Sequence, residues 1–341
     1  MTSRSATGTV STRREVLRHA ALRALLAPSV HNTQPWRFVL TDDALEVHAD
    51  FSRQLHVLDP RGRQLTISCG AALLNARVAI EAVGFEPAVQ RFPDPQDPSL
   101  LARVTIGDEH THPHSVALNL AIEHRRTNRR EFTHEDVPQG LVDSLVDLAA
   151  AEGASLFPIV APDHRAAIAT LSMMADRIEQ QDPAYLAEIA NWTTDDPRRD
   201  DGVQGSTVPY GQNVEHNDLL PLRNFDVRGM GWLPSAIASG PDQCLLLLCS
   251  VEDGPRGWLR TGEALERIWL ELTDERYWAS PLTQVIEVGL TRGQLQRAIG
   301  RPQHPQLLLR VGRAPSAVAT PRRDAVDVIV ERAGSNPEEE S

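Results

Sequence analysis

Residues 27–36 read Ala-Pro-Ser-Val-His-Asn-Thr-Gln-Pro-Trp, and this stretch decides the fold. It follows a segment, 12–27, in which Val16, Leu17, Ala20, Ala21, Leu25 and Leu26 recur at helical spacing. It leads into a strand-like segment, 36–40. Prolines 28 and 35 fix φ and remove two donors, so the shape is rigid. Ser29, Asn32 and Gln34 offer donors and acceptors that could grip the heteroatom edge of a flat ring. The same residues also suit an ordinary helix-to-strand turn with Trp36 in the core, and composition does not choose between the two.

Outward from this stretch, strands are expected at 36–40 and 45–48 around the Asp42–Asp43 turn, then at 88–91 and 102–106. Segment 70–83 is a helix, apolar nearly all round and therefore buried on most sides. A second unit follows, with helices at 116–126, 141–151, 168–181, 262–278 and 290–299. Its strands are expected at 156–160, 243–251 and 307–311. Helices and strands interleave in both parts, which predicts an α+β fold rather than a βαβ array. No Gly-x-Gly-x-x-Gly follows a strand, so a Rossmann site has no support. A faint repeat pairs Gly70-x-Ala72-Leu73 with Gly262-x-Ala264-Leu265. Between 192 and 241 the chain is rich in Gly and Pro, the texture of a functional lid or a disordered insert. It carries Trp192, Tyr210, Phe225 and Trp232, which either cover a ligand or anchor a surface loop.

The chain has 341 residues, enough for about two domains. Its 41% hydrophobic and 23% charged residues exclude a disordered chain and a coiled coil. A net charge of −12 argues against nucleic acid and anionic membrane as partners. No apolar run approaches the ~20 residues of a membrane span. Residues 1–11 lack the apolar core of a secretion signal and read as a flexible terminus. Three scattered cysteines exclude a disulfide scaffold and fit a reducing cytoplasm, with Cys69 a packed thiol. There is no lysine, so an anion site must use arginine, helix N-termini or backbone amides.

Segment 124–132, His-Arg-Arg-Thr-Asn-Arg-Arg-Glu-Phe, is the strongest anion candidate. Guanidinium forks bind phosphate bidentately, although a solvated surface run has the same composition. Pro321-Arg322-Arg323 would add to such a site. His110, His112 and His114 alternate but lack a partner pattern for a metal, and read as linker histidines.

Taken together, these motifs resemble the nitroreductase family. Residues 27–36 look like its flavin-ring loop, and Arg125-x-Thr127-x-Arg129 looks like its phosphate motif. Residues 59–70 (Asp-Pro-Arg-Gly-Arg-Gln-Leu-Thr-Ile-Ser-Cys-Gly), 124–132 and 201–203 resemble the Acg branch of FMN-binding nitroreductase-like proteins. The likeness spans about 12–330. It departs at Val30, where many nitroreductases have serine, and in the length of 192–241.

The resemblance implies two tandem nitroreductase-like α/β units, 12–112 and 113–332, fused as an intramolecular pseudo-dimer that acts as a monomer. An acidic tail, 333–341, follows. The implied cofactor is one FMN per chain, because the mirror-image site lacks a ring loop after 151. Pro28, Ser29, Asn32 and Gln34 would meet the ring, with Pro281 and Thr283 against it. Arg125, Arg126, Thr127, Arg129, Arg322 and Arg323 would hold the phosphate. NAD(P)H would then deliver hydride through flavin N5, in ping-pong fashion, to a small electron-poor acceptor such as a nitroaromatic or quinone. The rivals are a lidded protein that holds FMN with little turnover and a flavin-free interaction protein.

Overall fold

The computed structural model describes residues 12–130, 132–208, 220, 223–226 and 243–332. The expected terminus 1–11, the tail 333–341 and much of 192–241, with Tyr210 and Trp232, lie outside the described residues.

Helix α1 (Arg13–Ala24) opens on a capping box, in which Thr12 Oγ1 accepts from the Glu15 amide and the Glu15 carboxylate accepts from the Thr12 amide. Strands β1 (Trp36–Leu40) and β2 (Ala44–Ala49) follow. Helix α2 (Arg63–Ala82) begins seven residues before the expected start at 70. Its first two turns carry Arg63, Gln64, Thr66 and Ser68, which hide them from a search for apolar runs, and Asp59 Oδ2 caps them by accepting from the Leu65 amide at 2.9 Å. Strands β3 (Phe85–Arg91) and β4 (Leu100–Glu109) complete the first part.

The second part contains α3 (Pro113–His124), α4 (Gln139–Ala151), β5 (Ser155–Pro158), α5 (Pro162–Gln180) and α6 (Pro183–Asn191). The short strands β6 (Thr193–Thr194) and β7 (Val203–Gln204) pair with each other. Then come β8 (Cys244–Ser250), α7 (Pro255–Asp274), β9 (Trp278–Pro281), α8 (Gln284–Glu287), α9 (Gly289–Ile299) and β10 (His304–Gly312). The chain closes with α10 (Ala325–Val328) and β11 (Ile329–Glu331). The helix expected to reach 278 stops at 274, because Trp278–Pro281 pairs with β10, a long-range contact that local periodicity cannot register.

The two main sheets have strand orders β11-β1-β2-β4-β3 and β5-β8-β10-β9. Without β11, each is antiparallel in the order first, second, fourth, third. A helix precedes each sheet, α1 or α4, and a 20-residue helix, α2 or α7, joins its second and third strands. Strand β11 runs parallel to β1, tying the far end of the chain to the first sheet.

Helices α2 and α7 pack through glycine. Gly70 and Gly262 are each the eighth residue of their helix. A Cβ on Gly70 would lie 2.1 Å from the Leu259 carbonyl oxygen, and one on Gly262 would lie 2.0 Å from that of Ile67. The contact is therefore reciprocal, and it needs glycine on both sides. Within α2 an 18-residue window has mean hydropathy 1.3, and 83% of that window is buried inside the protein, as in a core helix.

Candidate functional site

The 27–36 stretch forms a strained loop between α1 and β1. His31, Asn32 and Gln34 have φ of 46°, 55° and 49°. Left-handed backbone costs most non-glycine residues about 1 kcal/mol or more, so the surroundings must enforce it. They do: the Gln34 amide donates to Ser29 Oγ at 2.9 Å, and the Val30 amide donates to Ser68 Oγ on α2 at 3.2 Å. Segment 200–202 crosses the loop. Gln34 Nε2 donates to the Asp200 carbonyl at 2.8 Å, and Asn32 Nδ2 donates to that of Gly202 at 3.2 Å. Arg53 clamps both, pairing with Asp201 and donating to the Thr33 carbonyl.

Beside the loop lies a cleft shared by both halves of the chain. Its walls come from Pro28 and Ser29, from Gln64, Ile67 and Ser68 of α2, and from Leu265 and Trp269 of α7. Pro281 and Thr283 line it from the second sheet, and Val208 and Phe225 from the insert. An adjoining pocket holds Asn32, Arg125, Arg126, Arg129, Arg322 and Thr207. Pro28, Ser29, Thr127 and Arg129 line both spaces. Ten of the twelve expected site residues thus meet here. Gln34 and Arg323 do not line either space: Gln34 is fully buried as a brace, and Arg323 binds it from behind and lies 3.9 Å from Asp50 Oδ2.

The pocket carries surplus positive charge. Arg125 stacks on Trp269, and its Nε lies 3.3 Å from Glu266 Oε1. Burial outweighs the pull of Arg125 and pushes Glu266 up to about 7. Arg322 Nη1 donates to Asn32 Oδ1 at 3.2 Å, and its Nη2 donates to the Leu26 and Ala27 carbonyls. Arg129 stacks 5.2 Å from the Phe225 ring centroid, with no hydrogen bond or carboxylate partner among the described residues. Burial, then neighbouring cations, push Arg129 down to about 10 and Arg322 down to about 9. An anion with two negative charges would relieve this crowding.

Three buried donors that line the cleft also lack partners among the described residues: Gln64 Nε2, Trp269 Nε1 and His31 Nδ1. Sequence reasoning missed Gln64 and Ser68 because it began α2 too late, although their i, i+4 spacing places them on one face. It gave His31 no role, and Arg223, within a Gly/Pro-rich stretch, gave no signal.

Of the other candidates, Cys69 is buried, with Sγ 3.2 Å from the Pro35 carbonyl oxygen. His112 meets Glu86 and His114 meets Glu271. Among the described residues no cluster of three metal-binding side chains occurs.

The cleft and the arginine-lined pocket adjoin through a wall of Pro28, Ser29, Thr127 and Arg129. No family model matches the chain. It is 33% identical over 321 residues to a Mycobacterium tuberculosis H37Rv protein with the provisional name NAD(P)H nitroreductase Rv3131, covering 92% of this chain and 91% of that one. It is 31% identical over 333 residues to the same organism's acg, likewise provisionally named an NAD(P)H nitroreductase, covering 94% and 96%. The chain belongs to the nitroreductase family. Among solved structures, the FMN-dependent nitroreductase NfnB of Mycobacterium smegmatis, in complex with NADPH, aligns with a TM-score of 0.39 at 15% identity over 63% of this chain and 97% of that one.

Proposed function

We propose that this protein is an FMN-dependent oxidoreductase, reduced by NAD(P)H, that passes electrons to a small electron-poor acceptor such as a nitroaromatic or quinone. One observation carries the reading: Pro28, Ser29, Thr127 and Arg129 form a common wall between a cleft and an arginine pocket. FMN has this shape, a flat ring joined through a short chain to a phosphate. Its fit is supported by the unpartnered donors Gln64 Nε2 and Trp269 Nε1 in the cleft and by Arg129 in the pocket.

When bound, FMN supplies the hydride chemistry; the protein supplies position and electrostatics. Arg126, Arg129 and Arg322, with the Thr127 hydroxyl, hold the phosphate. Pro28, Ser29, Pro281 and Thr283 would contact the ring. Gln64 Nε2 offers a donor to a ring heteroatom, where negative charge would otherwise be exposed to an apolar wall. Segment 200–208 with Phe225 acts as a lid that keeps bulk water from the cleft. Twelve expected contacts thus reduce to ten, with Gln34 and Arg323 as braces of the loop.

We further read the chain as two fused units, 12–112 and 113–332, acting as an intramolecular pseudo-dimer and a monomer in the cytoplasm. The matching strand orders and the reciprocal Gly70–Gly262 contact support this, since self-complementary contact is the mark of a two-fold interface. At the mirror-image position, Arg77, Arg91, Glu152 and Glu263 fill the space with ion pairs, which supports one FMN per chain.

The test is visible absorption of the purified protein, then anaerobic NADPH. A yellow protein with one FMN per chain that bleaches on NADPH, and recovers its colour on adding a quinone or nitroaromatic, is expected. A colourless protein that takes up no FMN would refute the cofactor. A yellow protein bleached only by dithionite would refute the reductase.

A further inference from the structure

We infer that His31 selects the electron acceptor, its Nδ1–H donating to a neutral oxygen of a planar molecule, a quinone carbonyl or a nitro oxygen, seated in the cleft. The inference rests on reading the cleft as a flavin-ring site. It starts from Arg223, which lies 3.1 Å through Nη1 from His31 Nε2. Arginine has donors only, so Nε2 must accept, and the neutral imidazole must carry its proton on Nδ1.

Arg223 is well fixed in this role. It pairs with Glu287, lies 4.0 Å from Glu179, and sits over the Tyr185 ring at 5.8 Å. Phe225 meets the imidazole edge-on at 5.5 Å and holds its plane. Burial, followed by the charges of Arg223 and Arg129, keeps His31 well below the usual histidine range and so uncharged. The Nδ1–H that results is buried, lacks a partner among the described residues, and belongs to a residue lining the cleft. A buried N–H without an acceptor is costly, and a ligand oxygen would complete it. A site built this way rejects analogues that lack the oxygen.

The test uses the oxidised holoprotein without reductant, so it needs no turnover. In a long-range ¹H–¹⁵N spectrum, the histidine signal missing from H31F should be Nδ1-protonated and should shift on adding 1,4-naphthoquinone. Quenching of flavin fluorescence should give a naphthoquinone Kd roughly tenfold weaker in H31F, the worth of one hydrogen bond. H31Q, which keeps an acceptor for Arg223 and a donor for the ligand, should recover most of the affinity. An Nε2-protonated signal, or equal naphthoquinone affinity in the parent and H31F, would overturn the inference. So would H31F losing FMN affinity with naphthoquinone affinity unchanged, which would assign the bond to the flavin. A protein that takes up no FMN overturns the ring-site reading and this inference with it, whereas a flavoprotein with unchanged quinone affinity overturns this inference alone.

Discussion

Gly262→Ala sets two known effects against each other. Alanine favours a helix over glycine by about 1 kcal/mol, so at an exposed position it would stabilise. Here the new Cβ would lie 2.0 Å from the Ile67 carbonyl oxygen and 2.8 Å from Gly70 Cα. Both obstacles are backbone, so no rotamer change relieves them, and α2 and α7 must part by roughly 1 Å. Overpacking costs about 1–3 kcal/mol even where side chains yield, and a gap of that size forfeits a quarter to a half of the dispersion across it. A clash of about 4 kcal/mol less the propensity gain leaves a net loss of about 3 kcal/mol. With roughly 0.7 kcal/mol/K of unfolding entropy for a chain this long, Tm should fall by about 4 °C. Gly70→Ala meets the Leu259 carbonyl at 2.1 Å and should behave alike. One parting of the helices relieves both contacts, so the double variant should cost clearly less than the sum. Both helices wall the cleft, so FMN affinity should fall in each variant. Scanning calorimetry and flavin titration provide the readout. A Gly262→Ala protein as stable as its parent, or strictly additive costs, would refute the reasoning.

Arg129→Ala should weaken FMN binding roughly 10- to 100-fold, the worth of a charge-assisted bond, while riboflavin affinity measured by titration calorimetry stays unchanged. Glu263 is fully buried, receiving Arg77 Nη1 at 2.9 Å and Arg91 Nη2 at 2.7 Å. Glu263→Ala strands the Arg91 guanidinium and leaves Arg77 to Glu152 alone, and should lower stability by about 3 kcal/mol in urea titrations. Glu266 is pushed by burial from an ordinary 4.5 up to about 7, against the pull of Arg125. Between those values the folded chain holds a proton that the unfolded chain has released, so its contribution to stability falls as pH rises. Glu266→Gln should therefore lose less stability than the parent between about pH 4.5 and 7, and parallel pH curves for the two proteins would refute this.

Much of this architecture is legible in local pattern. The leucine run of β8 and the heptad-like apolar faces of α1 and α7 announce themselves, because their periodicity is their burial. What escapes is set by distance. Strand β11 has three residues and a partner, β1, near the other end of the chain. In the polar first turns of α2, Gln64 and Ser68 line the cleft and Arg63 donates to the Gln306 and Ile286 carbonyls, so no hydrophobic pattern marks them. Arg322 and Arg323 are indistinguishable by type, yet neighbours on extended backbone point to opposite sides. The structure turns Arg322 to the pocket and Arg323 to Gln34. Arg125, Arg126, Thr127 and Arg129 come from one short segment and so arrive in the pocket together.

The parallel seat of β11 on β1 has a mechanical consequence for the pocket. Residues 313–324, which carry Arg322, leave β10 in the second sheet and land through α10 and β11 on the first. Arg322 therefore rides a bridge with an abutment on each sheet, and from near its far end it reaches the Leu26 and Ala27 carbonyls at the start of the strained loop. An anion gripped there by Arg129 and Arg322 joins groups anchored to different sheets. It acts as a rivet between the two, so occupancy of the pocket and cohesion of the molecule should rise and fall as one quantity.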